Sequence, residues 1–407
     1  MKKKNLLLIT NRYPFLPGEE FLHTEFPYLK NEFEHIYIVT TNAQIKKENK
    51  RELNPTVKVF HAFEHRHSKT YLLNQLFKSK EGLDWVSKGF GQVLIHPKKW
   101  LKLLNWVSIA VQVKKNLIMA VEKEKMSVDD TVIYSYWQSP GALAAVMLKK
   151  QYGYKTVSRA HGGDVYAERH NPAYLPLQAE VIEGLDQLYL ISEDGKDYLS
   201  KKYPNVTEHL SVRKLGTRDP EILSEHSTDE VFRIVSCSYV VPVKRLELLI
   251  EALKLCKQKI EWKHIGDGPL FEQIKLLAKE LPPNVSVNFL GNKKNHEIYE
   301  YYAANKVDAF INVSSTEGLP VSIMEVFSFG IPALATDVGG TRELVNPDTG
   351  RLLPKNIDAK ELATVIDEIA QMSKDEKIEL GKNALKIWKE YYNAERNFTS
   401  FARELSE

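Results

Sequence analysis

Two glutamates, Glu317 and Glu325, are the side chains in this sequence that most clearly indicate ligand chemistry. They lie eight residues apart in TEGLPVSIMEVFSFGIPALATDVGGTREL, residues 316–344, which is otherwise nearly uncharged. Residues 309–319 predict a buried strand followed by a loop, and Pro320 the first residue of a helix, where proline's missing N–H costs nothing. Glu317 would then follow the strand and Glu325 lie on the second helical turn, so both carboxylates could face one ligand.

The same segment offers main-chain donors for an anion. Gly318 lets the backbone approach a ligand closely, and the N–H groups of Leu319, Val321 and Ser322 lie at the predicted helix start, where phosphate binds readily. Carboxylates accept hydrogen bonds from hydroxyl groups, so a ligand with polyol ends and a phosphate middle, such as a nucleotide sugar, would use every group. The alternative is an ordinary strand, loop and helix with two solvated glutamates.

Lys244 and Arg245 place two cations after another predicted strand, in SCSYVVPVKRLELLIEAL, residues 236–253. A leaving diphosphate must be neutralised where no metal does so, and adjacent cations at a strand end suit that purpose. The sequence has no Cys/His spacing typical of a metal site and no Asp-x-Asp placed to bridge a metal and a diphosphate. We therefore expect no metal and no cofactor other than the donor substrate itself.

The run E-G-L-P-x-S-x-x-E, followed by G-I-P-A-L-A-T-D-V-G-G-T-R-E-L, resembles the E-x7-E signature of family-4 glycosyltransferases, the retaining enzymes with the GT-B fold. The resemblance implies that Glu317 contacts hydroxyls of the donor sugar near the reacting centre and that Glu325 binds the nucleotide ribose. It also implies a tight turn beside the site at Gly339 and Gly340. Further donor contacts are assigned to the residues that follow Glu317, namely Gly318, Leu319, Pro320 and Val321.

The basic loop departs from that family at one position. Lys244 matches the family's lysine, a catalytic residue by this resemblance, but Tyr239 stands where the family has an arginine. Either Arg245 replaces that arginine from a shifted position, which we favour, or the contact with the diphosphate is weaker here. The resemblance also assigns Ser238, in the same loop, to the donor.

Two further loops resemble donor-site segments of the family. HIGDGP, residues 264–269, is similar to a G-x-G-P turn that lines the donor crevice, which assigns Gly266 and Asp267 to donor binding. VNFLGN, residues 287–292, is similar to the segment whose backbone reads the base, which assigns Asn292. A plain turn is the alternative for each.

In the first half, His161 directly follows a predicted strand in TVSRAHGGDVY, residues 156–166. It matches the family's histidine before a glycine, and the resemblance implies that His161 binds the donor sugar at the reaction centre and that Asp164 belongs to the donor site. A nucleophilic role is not implied, because retaining GT-B enzymes use a front-face displacement in which the leaving phosphate helps to deprotonate the acceptor. A structural histidine is the alternative.

The loop after the first predicted strand, NRYPFLPGEE at residues 11–20, resembles the family loop that lies over the donor phosphates and the acceptor. Gly18 would allow close approach to the donor. The family often has two adjacent glycines and this chain has one, which weakens the expected phosphate contact. Glu19 and Glu20 are candidates for acceptor hydroxyls, with solvated glutamates as the alternative.

The elements that must position these residues alternate through both halves of the chain. Short apolar or β-branched runs are followed by polar turns and amphipathic stretches, a pattern typical of parallel sheets covered by helices. The predicted strands are 5–10, 35–40, 57–62, 131–136, 156–160, 187–191, 232–237, 260–265, 285–290, 309–312, 331–336 and 350–353.

The predicted fold class is α/β, with two Rossmann-like, doubly wound parallel-sheet domains facing across a cleft, the GT-B fold. At 407 residues the chain is long enough for two domains. We predict an N-terminal acceptor-binding domain at 1–218, a nucleotide-sugar-binding domain at 219–384 and a linker near 216–230. A C-terminal helix at about 385–407 is expected to pack back on the first domain. Ligands bind at the carboxyl ends of strands in such sheets.

Composition is that of a globular protein, with 43% hydrophobic and 27% charged residues. Two cysteines, Cys237 and Cys256, in apolar surroundings favour buried thiols over a disulfide framework. The apolar run within the first ten residues is too short for a signal peptide. No run in the sequence reaches the roughly 18–20 apolar residues of a membrane span. We expect a cytoplasmic protein.

The net charge of +3 conceals an asymmetry between the halves. Residues 1–218 contain 33 Lys/Arg and 23 Asp/Glu, a balance of +10, whereas residues 219–407 contain 23 and 30, a balance of −7. A basic first half favours an anionic partner there, although a solvated basic surface explains the count equally well. The lysine-flanked amphipathic run 98–115 could rest on an anionic membrane surface or pack on the sheet.

The favoured function is a retaining glycosyltransferase that moves a sugar from a nucleotide-diphosphate donor to a glycan or lipid-linked acceptor. The resemblance extends to bacterial enzymes of exopolysaccharide, capsule and lipopolysaccharide synthesis, and a UDP-sugar is favoured over a GDP-sugar. A GT-B epimerase or phosphorylase and a non-catalytic two-lobed sugar-binding protein remain alternatives. A dinucleotide oxidoreductase is disfavoured because no G-x-G-x-x-G follows a strand. No nucleic-acid partner is indicated.

Overall fold

The computed structural model describes residues 3–16, 18–42, 50–63, 68–94 and 96–407. Contacts divide the chain into two compact units. The first comprises Met1–Leu215 and Glu395–Glu407, and the second Gly216–Ala394. Each has a parallel sheet with helices on both faces, so the predicted α/β class of two doubly wound sheets is confirmed.

The first unit is built on a seven-stranded sheet of order β3-β2-β1-β4-β5-β6-β7, in which each described strand pair is parallel. Its strands are apolar because helices cover both faces of the sheet. The strands are β1 (Asn5–Thr10), β2 (His35–Thr40), β3 (Lys58–His61), β4 (Thr131–Ser135), β5 (Lys155–Ala160), β6 (Gln187–Leu190) and β7 (Leu210–Val212).

The helices of the first unit lie between these strands, and one returns from the end of the chain. Several begin at a serine whose hydroxyl accepts a main-chain N–H, as Ser139 and Ser192 do. They are α1 (Glu20–Glu32), α2 (Lys69–Phe77), α3 (Lys80–Lys88), α4 (Phe90–Val93), α5 (Pro97–Lys123), α6 (Pro140–Tyr152), α7 (Gly162–Val165), α8 (Gln178–Gly184), α9 (Glu193–Lys202) and α16 (Ala394–Ser406).

The second unit has a six-stranded parallel sheet of order β10-β9-β8-β11-β12-β13. Its core lies between the sheet and helices α10 and α14. The strands are β8 (Phe232–Cys237), β9 (Ile260–Ile265), β10 (Val285–Gly291), β11 (Ala309–Asn312), β12 (Ala333–Thr336) and β13 (Gly350–Leu353). The helices are α10 (Leu246–Leu255), α11 (Phe271–Leu277), α12 (Asn295–Ala304), α13 (Val321–Ser328), α14 (Ala359–Gln371) and α15 (Lys374–Tyr391).

The predicted strands all occur, with ends that differ by up to two residues. The strand predicted at 331–336 is shorter at its start, because it begins at Ala333. The sequence analysis missed β7, which has only three residues and therefore too little alternation to recognise. Helix α13 begins at Val321, so the prediction that Pro320 is its first residue was wrong by one position: Pro320 is extended and caps the helix.

The single C-terminal helix predicted at about 385–407 is two helices. α15 ends at Tyr391 and α16 begins at Ala394, and the chain between them pairs with Thr217. Trp388 Nε1 also donates a hydrogen bond of 2.8 Å to Thr217 Oγ1. Only α16 belongs to the first unit, where Phe401 packs in the core formed with α1 and β4.

A buried ion pair connects β5 to α1 and lies next to α16. Arg159 NH1 donates to Glu25 Oε2, and both side chains are fully buried. The Arg159 guanidinium lies 4.1 Å from the ring centroid of Phe401. Removing one partner of such a pair typically costs about 3–5 kcal/mol, because the other charge stays buried. The pair therefore anchors the strand that precedes His161.

Helix α5 contains the lysine-flanked run 98–115, and its apolar face packs in the core of the first unit. Several of its lysines are engaged within the unit: Lys114 pairs with Glu81 at 2.5 Å, and Lys102 Nζ donates to Tyr174 O at 2.6 Å. Of the two interpretations of this run, the structure therefore favours a core helix. Leu101, at its start, remains 67% exposed. No helix among the described residues is long and apolar enough to cross a membrane.

Candidate functional site

The loops singled out in the second half all leave the carboxyl edge of the second unit's sheet. The sheet order reverses between β8 and β11, which are neighbours although two strands separate them in sequence. The loop after β8 and the loop after β11 diverge at this point, where open α/β sheets form their ligand crevice. The geometry of these two loops therefore decides what the site can bind.

Lys244 and Glu317 meet across that reversal point. Lys244 Nζ lies 2.6 Å from Glu317 Oε1, and both side chains are largely but not fully buried. Asn312, the last residue of β11, donates from Nδ2 to the same carboxylate oxygen at 3.2 Å. The structure thus brings together two predicted catalytic residues and adds Asn312, which sequence reasoning missed because a strand-end amide has no distinctive pattern.

Arg245 has different partners from Lys244. It occupies a left-handed conformation, with φ of 49°, at the start of α10. Its guanidinium donates to three main-chain carbonyls, those of Val313 (2.6 Å), Ser314 (3.4 Å) and Lys355 (3.1 Å). Burial lowers its pKa from the ordinary value. These contacts favour a structural role, in which Arg245 ties the loop after β8 to the loop after β11, over the predicted replacement of the family arginine. Tyr239 is largely exposed.

Glu325 is a buried carboxylate on α13. Asn295 Nδ2 donates to Glu325 Oε1 at 2.6 Å, and the side chain has little exposure. Burial raises the pKa of Glu325 to about 7, against the opposing effects of Asn295 and the nearby Arg218. Hydrogen bonds from ligand hydroxyls would favour the ionised carboxylate, so the protonation state of Glu325 would respond to a bound ligand near neutral pH. Sequence reasoning missed Asn295 and Arg218, which come from distant segments.

The loop between these glutamates is held by the turn at Gly339 and Gly340. The N–H of Gly340 donates to Gly318 O at 2.7 Å. Gly339 has φ of 56°, and a Cβ there would lie 2.0 Å from Glu317 O. The turn must therefore be glycine, and it fixes the main chain of Glu317 and Gly318.

At the start of α13, Leu319 and Pro320 are buried and Val321 is half-buried. The first helical hydrogen bonds run from Ile323 and Met324 to the carbonyl of Pro320. The N–H groups of Val321 and Ser322 precede these and, as at every helix start, have no carbonyl of the helix to donate to. Such N–H groups attract anions.

The turn after β9 packs against the loop after β8. Gly266 has φ of 142°, and a Cβ there would lie 1.9 Å from Ser238 O. The Ser238 N–H donates to Ile265 O at 3.0 Å, and Asp267 O accepts from Val240 N at 3.0 Å. Gly266 and Asp267 thus fix the backbone of the loop that contains Ser238.

Behind this turn lies His264, a buried residue that the sequence analysis did not single out. Its Nδ1 is 2.8 Å from Ser236 Oγ. Burial lowers the pKa of His264 to about 4, so it stays neutral and supports the end of β8. Asn292, which follows β10, is exposed.

In the first unit, His161 follows β5 and begins α7. Its Nδ1 lies 2.6 Å from Asp164 Oδ2, and its ring stacks on Trp137 with centroids 4.3 Å apart. Burial opposes its protonation, but the charge and hydrogen bond of Asp164 outweigh this and raise the pKa of His161 above its ordinary value. The side chain is 41% exposed, so an oriented, partly accessible imidazole results. Trp137, at the end of β4, was not predicted.

The loop after β1 is closed by its own glutamate. Glu19 accepts hydrogen bonds from the N–H groups of Asn11 (2.8 Å), Arg12 (2.6 Å) and Tyr13 (2.5 Å). This fixes the carboxylate on the backbone, so the suggestion that Glu19 meets acceptor hydroxyls has no support in its contacts.

Elsewhere in this loop, Gly18 has φ of 113° and nothing within 4 Å of a Cβ position, while Arg51 NH2 donates to Gly18 O at 3.0 Å. Glu20 pairs with Arg51 at 2.6 Å. Pro17 lies outside the described residues. Gly18 therefore leaves open space beside the loop, as a close approach by a ligand would require.

Comparison with known proteins indicates which family and which fold this chain resembles. Residues 219–387 match the family model described as "Glycosyl transferases group 1". The chain is 27% identical over 278 residues to the amylovoran biosynthesis glycosyltransferase AmsK of Erwinia amylovora. That alignment covers 63% of this chain and 65% of AmsK, slightly less than two thirds of the relative. The family match includes the segment of the second half that contains Glu317 and Glu325, on which the resemblance drawn from the sequence chiefly depends.

Solved structures agree in fold along the whole chain. The apo form of the lipopolysaccharide outer core galactosyltransferase WaaB superposes with a TM-score of 0.71 at 14% identity, covering 98% of both chains. Anabaena Alr3699/HepE, solved with UDP and glucose, gives a TM-score of 0.66 at 16% identity over 98% of this chain and 99% of its own. At such identities the similarity shows the fold, which is that of GT-B glycosyltransferases.

Proposed function

We propose that this protein, whose residues 219–387 match the group 1 glycosyl transferases, moves a sugar from a nucleotide-diphosphate donor to a glycan or lipid-linked acceptor in bacterial surface polysaccharide synthesis. The observation that supports this best is the contact between Lys244 and Glu317 at the reversal point of the second sheet. A cation and a carboxylate there suit the two chemically different parts of a sugar diphosphate.

In this proposal Lys244 exchanges its partner when the donor binds. Its ammonium lies beside Glu317 without ligand, and a diphosphate would offer it stronger, charge-assisted hydrogen bonds. The charge that develops on the leaving phosphate would then be stabilised by Lys244. Glu317, still held by Asn312, would accept hydrogen bonds from the sugar hydroxyls.

The nucleotide end is assigned to Glu325 and the loops beside it. Ribose hydroxyls would donate hydrogen bonds to the Glu325 carboxylate. The N–H groups at the start of α13 would donate hydrogen bonds to phosphate oxygens. Ser238, Gly266, Asp267 and Asn292 form the remaining loops of this edge. We favour UDP as the nucleotide, supported by the UDP that HepE, a protein of the same fold, binds.

We assign the transferred sugar to His161 as well, with Asp164 as its positioning partner. The 2.6 Å contact holds the imidazole in one orientation, and the stacked Trp137 limits its rotation. A raised pKa lets His161 donate a hydrogen bond to the sugar or to the departing phosphate near neutral pH. Transfer with retained anomeric configuration follows from the proposed front-face displacement.

The experiment that tests the function is a donor panel. UDP- and GDP-sugars are offered to the protein, and thermal stabilisation and slow release of nucleotide are measured. A UDP-sugar should raise Tm and be hydrolysed slowly, and the anomeric configuration of the released sugar, followed by NMR, should be retained. Absence of stabilisation by every donor would contradict the proposal. Turnover only with orthophosphate would identify a phosphorylase instead.

A lipid-linked acceptor would bring the protein to the inner face of the cytoplasmic membrane. Three exposed apolar side chains, Phe90, Leu94 and Leu101, surround the start of α5, where Lys98 and Lys99 also lie. Apolar groups beside cations suit the interface of an anionic bilayer. We propose that this end of α5 is the membrane contact.

Sedimentation with phosphatidylglycerol vesicles tests that contact. Leu101→Glu should reduce binding at least fivefold, because it replaces an inserted apolar group by a charge of the membrane's sign. Met119→Glu, at another exposed apolar position of α5, is the control and should bind like the parent protein. Equal binding by the Leu101 variant and the parent would exclude this surface.

A further inference from the structure

The second unit has a cavity of about 300 Å³ at the amino edge of its sheet, the edge opposite the loops described above. It is bounded by the segment 226–232, which leads into β8, by Asp308 before β11, and by the residues at the end of α14 and start of α15. Along β8, from Phe232 to Cys237, the two edges are separated by roughly 17 Å at about 3.3 Å per residue. The cavity is therefore distinct from the proposed donor site.

Asp308 is a buried residue of the lining, and both oxygens of its carboxylate already accept hydrogen bonds. Oδ1 accepts from Ser227 N at 2.8 Å, and Oδ2 accepts from Ser227 Oγ at 2.6 Å and from Arg233 N at 2.8 Å. These contacts fix the segment that leads into β8. Asp308 thus shapes the cavity and has little capacity left for a cation.

Three nitrogen-bearing side chains, those of His226, Lys374 and Lys377, line the cavity. Lys374 is exposed at the start of α15, and Lys377, one turn further, lies partly buried with Nζ 5.2 Å from the Phe232 ring centroid and 2.9 Å from Ala370 O. His226 Nδ1 is buried and, among the described residues, makes no hydrogen bond; Asp308 Oδ1 is 3.9 Å away, beyond hydrogen-bond range.

These groups influence one another's charge. Burial first, and then Lys377 and Lys374, lower the pKa of His226, against the attraction of Asp308. Burial likewise lowers the pKa of Lys377. Asp308 opposes both shifts, so its carboxylate favours the charged forms of His226 and Lys377, as an anionic ligand beside them would also do.

The two acidic side chains at the rim have partners of their own. Asp229 Oδ1 lies 2.6 Å from Arg233 NH1, and Glu230 Oε2 lies 2.9 Å from Lys259 Nζ. Their charges are therefore directed to cations other than Lys374 and Lys377. Lys374 and Lys377 therefore remain the lysines of the lining that an anion could contact.

We propose that this cavity is a second binding site, which takes a small phosphate- or carboxylate-bearing metabolite with its anionic group between Lys374 and Lys377 and beside His226. The volume suits a compact ligand of this kind, since small-molecule sites in proteins begin at about 300 Å³. This assignment does not rest on the proposed transferase function.

Isothermal titration of the whole protein with inorganic phosphate and, separately, with citrate tests the site at constant ionic strength. The test variant is Lys374→Glu, an exposed position where folding should be unaffected. Lys382→Glu is the matched control, because Lys382 lies on the same helix, is 69% exposed and does not line the cavity. Lys244→Ala is the control for anion binding at the proposed donor site.

We expect saturable binding of at least one of the two anions, weakened at least tenfold in Lys374→Glu and changed less than twofold in both Lys382→Glu and Lys244→Ala. The anion that binds more tightly indicates whether the ligand's anionic group is a phosphate or a carboxylate. No saturable binding of either anion would overturn the proposal, as would equal affinity in Lys374→Glu and the parent. Loss confined to Lys244→Ala would show that the anion had bound at the donor edge, and would also refute the second site.

Discussion

Lys244 and Arg245 are neighbours in sequence, but their side chains have different kinds of partner. One contacts a carboxylate at the reversal point of the sheet, and the other donates to three loop carbonyls. Proximity along the chain could not distinguish them, because the difference arises from the left-handed conformation of Arg245, which turns its side chain toward the loop after β11. The sequence therefore identified both residues as candidates for the site but did not reveal which groups their side chains contact.

We therefore predict that the two alanine variants separate turnover from stability. Lys244→Ala should lower kcat at least about 100-fold, the typical cost of losing one group that stabilises developing charge, and should lower Tm less than Arg245→Ala does, because Asn312 still donates to Glu317. Arg245→Ala should lower Tm, because three carbonyls lose their donor, and reduce kcat less than tenfold. Steady-state kinetics and calorimetric unfolding measure both. A large loss of turnover in Arg245→Ala at unchanged Tm would instead support the arginine replacement predicted from sequence.

The raised pKa of Glu325 gives donor binding a pH dependence. Ribose hydroxyls that donate to the carboxylate stabilise its ionised form, so binding lowers the pKa of Glu325 and releases a proton. Affinity for a UDP-sugar should consequently increase as pH rises through 7, by about tenfold between pH 6 and pH 8. Titration calorimetry at several pH values measures this.

Glu325→Gln is the control for that dependence. The amide keeps the size of the side chain but cannot ionise, so binding should be weaker and independent of pH in this range. If the variant kept the slope of the parent protein, Glu325 would not be the group that titrates.

At the scale of elements, the loops of the carboxyl edge support each other through glycines that tolerate no side chain. Gly266→Ala should destabilise the second unit by about 3 kcal/mol or more, because its φ is 142° and the new Cβ would lie 1.9 Å from Ser238 O. Gly291→Ala has φ of 68° and nothing within 4 Å of the Cβ, so it should cost only about 1 kcal/mol. Thermal unfolding compares them, and equal shifts in Tm would argue against this packing.

The same elements show how far a single sequence can be interpreted. Strands such as β8 and β11 are predictable, because buried parallel strands are short apolar runs between polar turns. Glu317 and Glu325 could be found, because charges are conspicuous in an apolar segment. Asn295 and Asn312 could not, since their contacts with these glutamates depend on how α12 and β11 pack. The break between α15 and α16 depends likewise on pairing with Thr217.

At the scale of the whole molecule, the proposal makes Lys244 and main-chain donors responsible for the charge of the leaving diphosphate. Donor turnover should therefore stay within twofold of its initial rate in excess EDTA, since no divalent ion is required. Nucleotide release with and without the chelator measures this. Activity that disappeared with EDTA and returned with Mg²⁺ or Mn²⁺ would show that the cationic loop does not suffice.

The central claim is that the carboxyl edge of the second unit binds a nucleotide sugar, and a crystal structure of the complex with a UDP-sugar tests it most directly. We predict that Lys244 Nζ lies within hydrogen-bond distance of the diphosphate, that Glu317 accepts from sugar hydroxyls and that Glu325 accepts from the ribose. A nucleotide bound away from these three side chains would contradict the account.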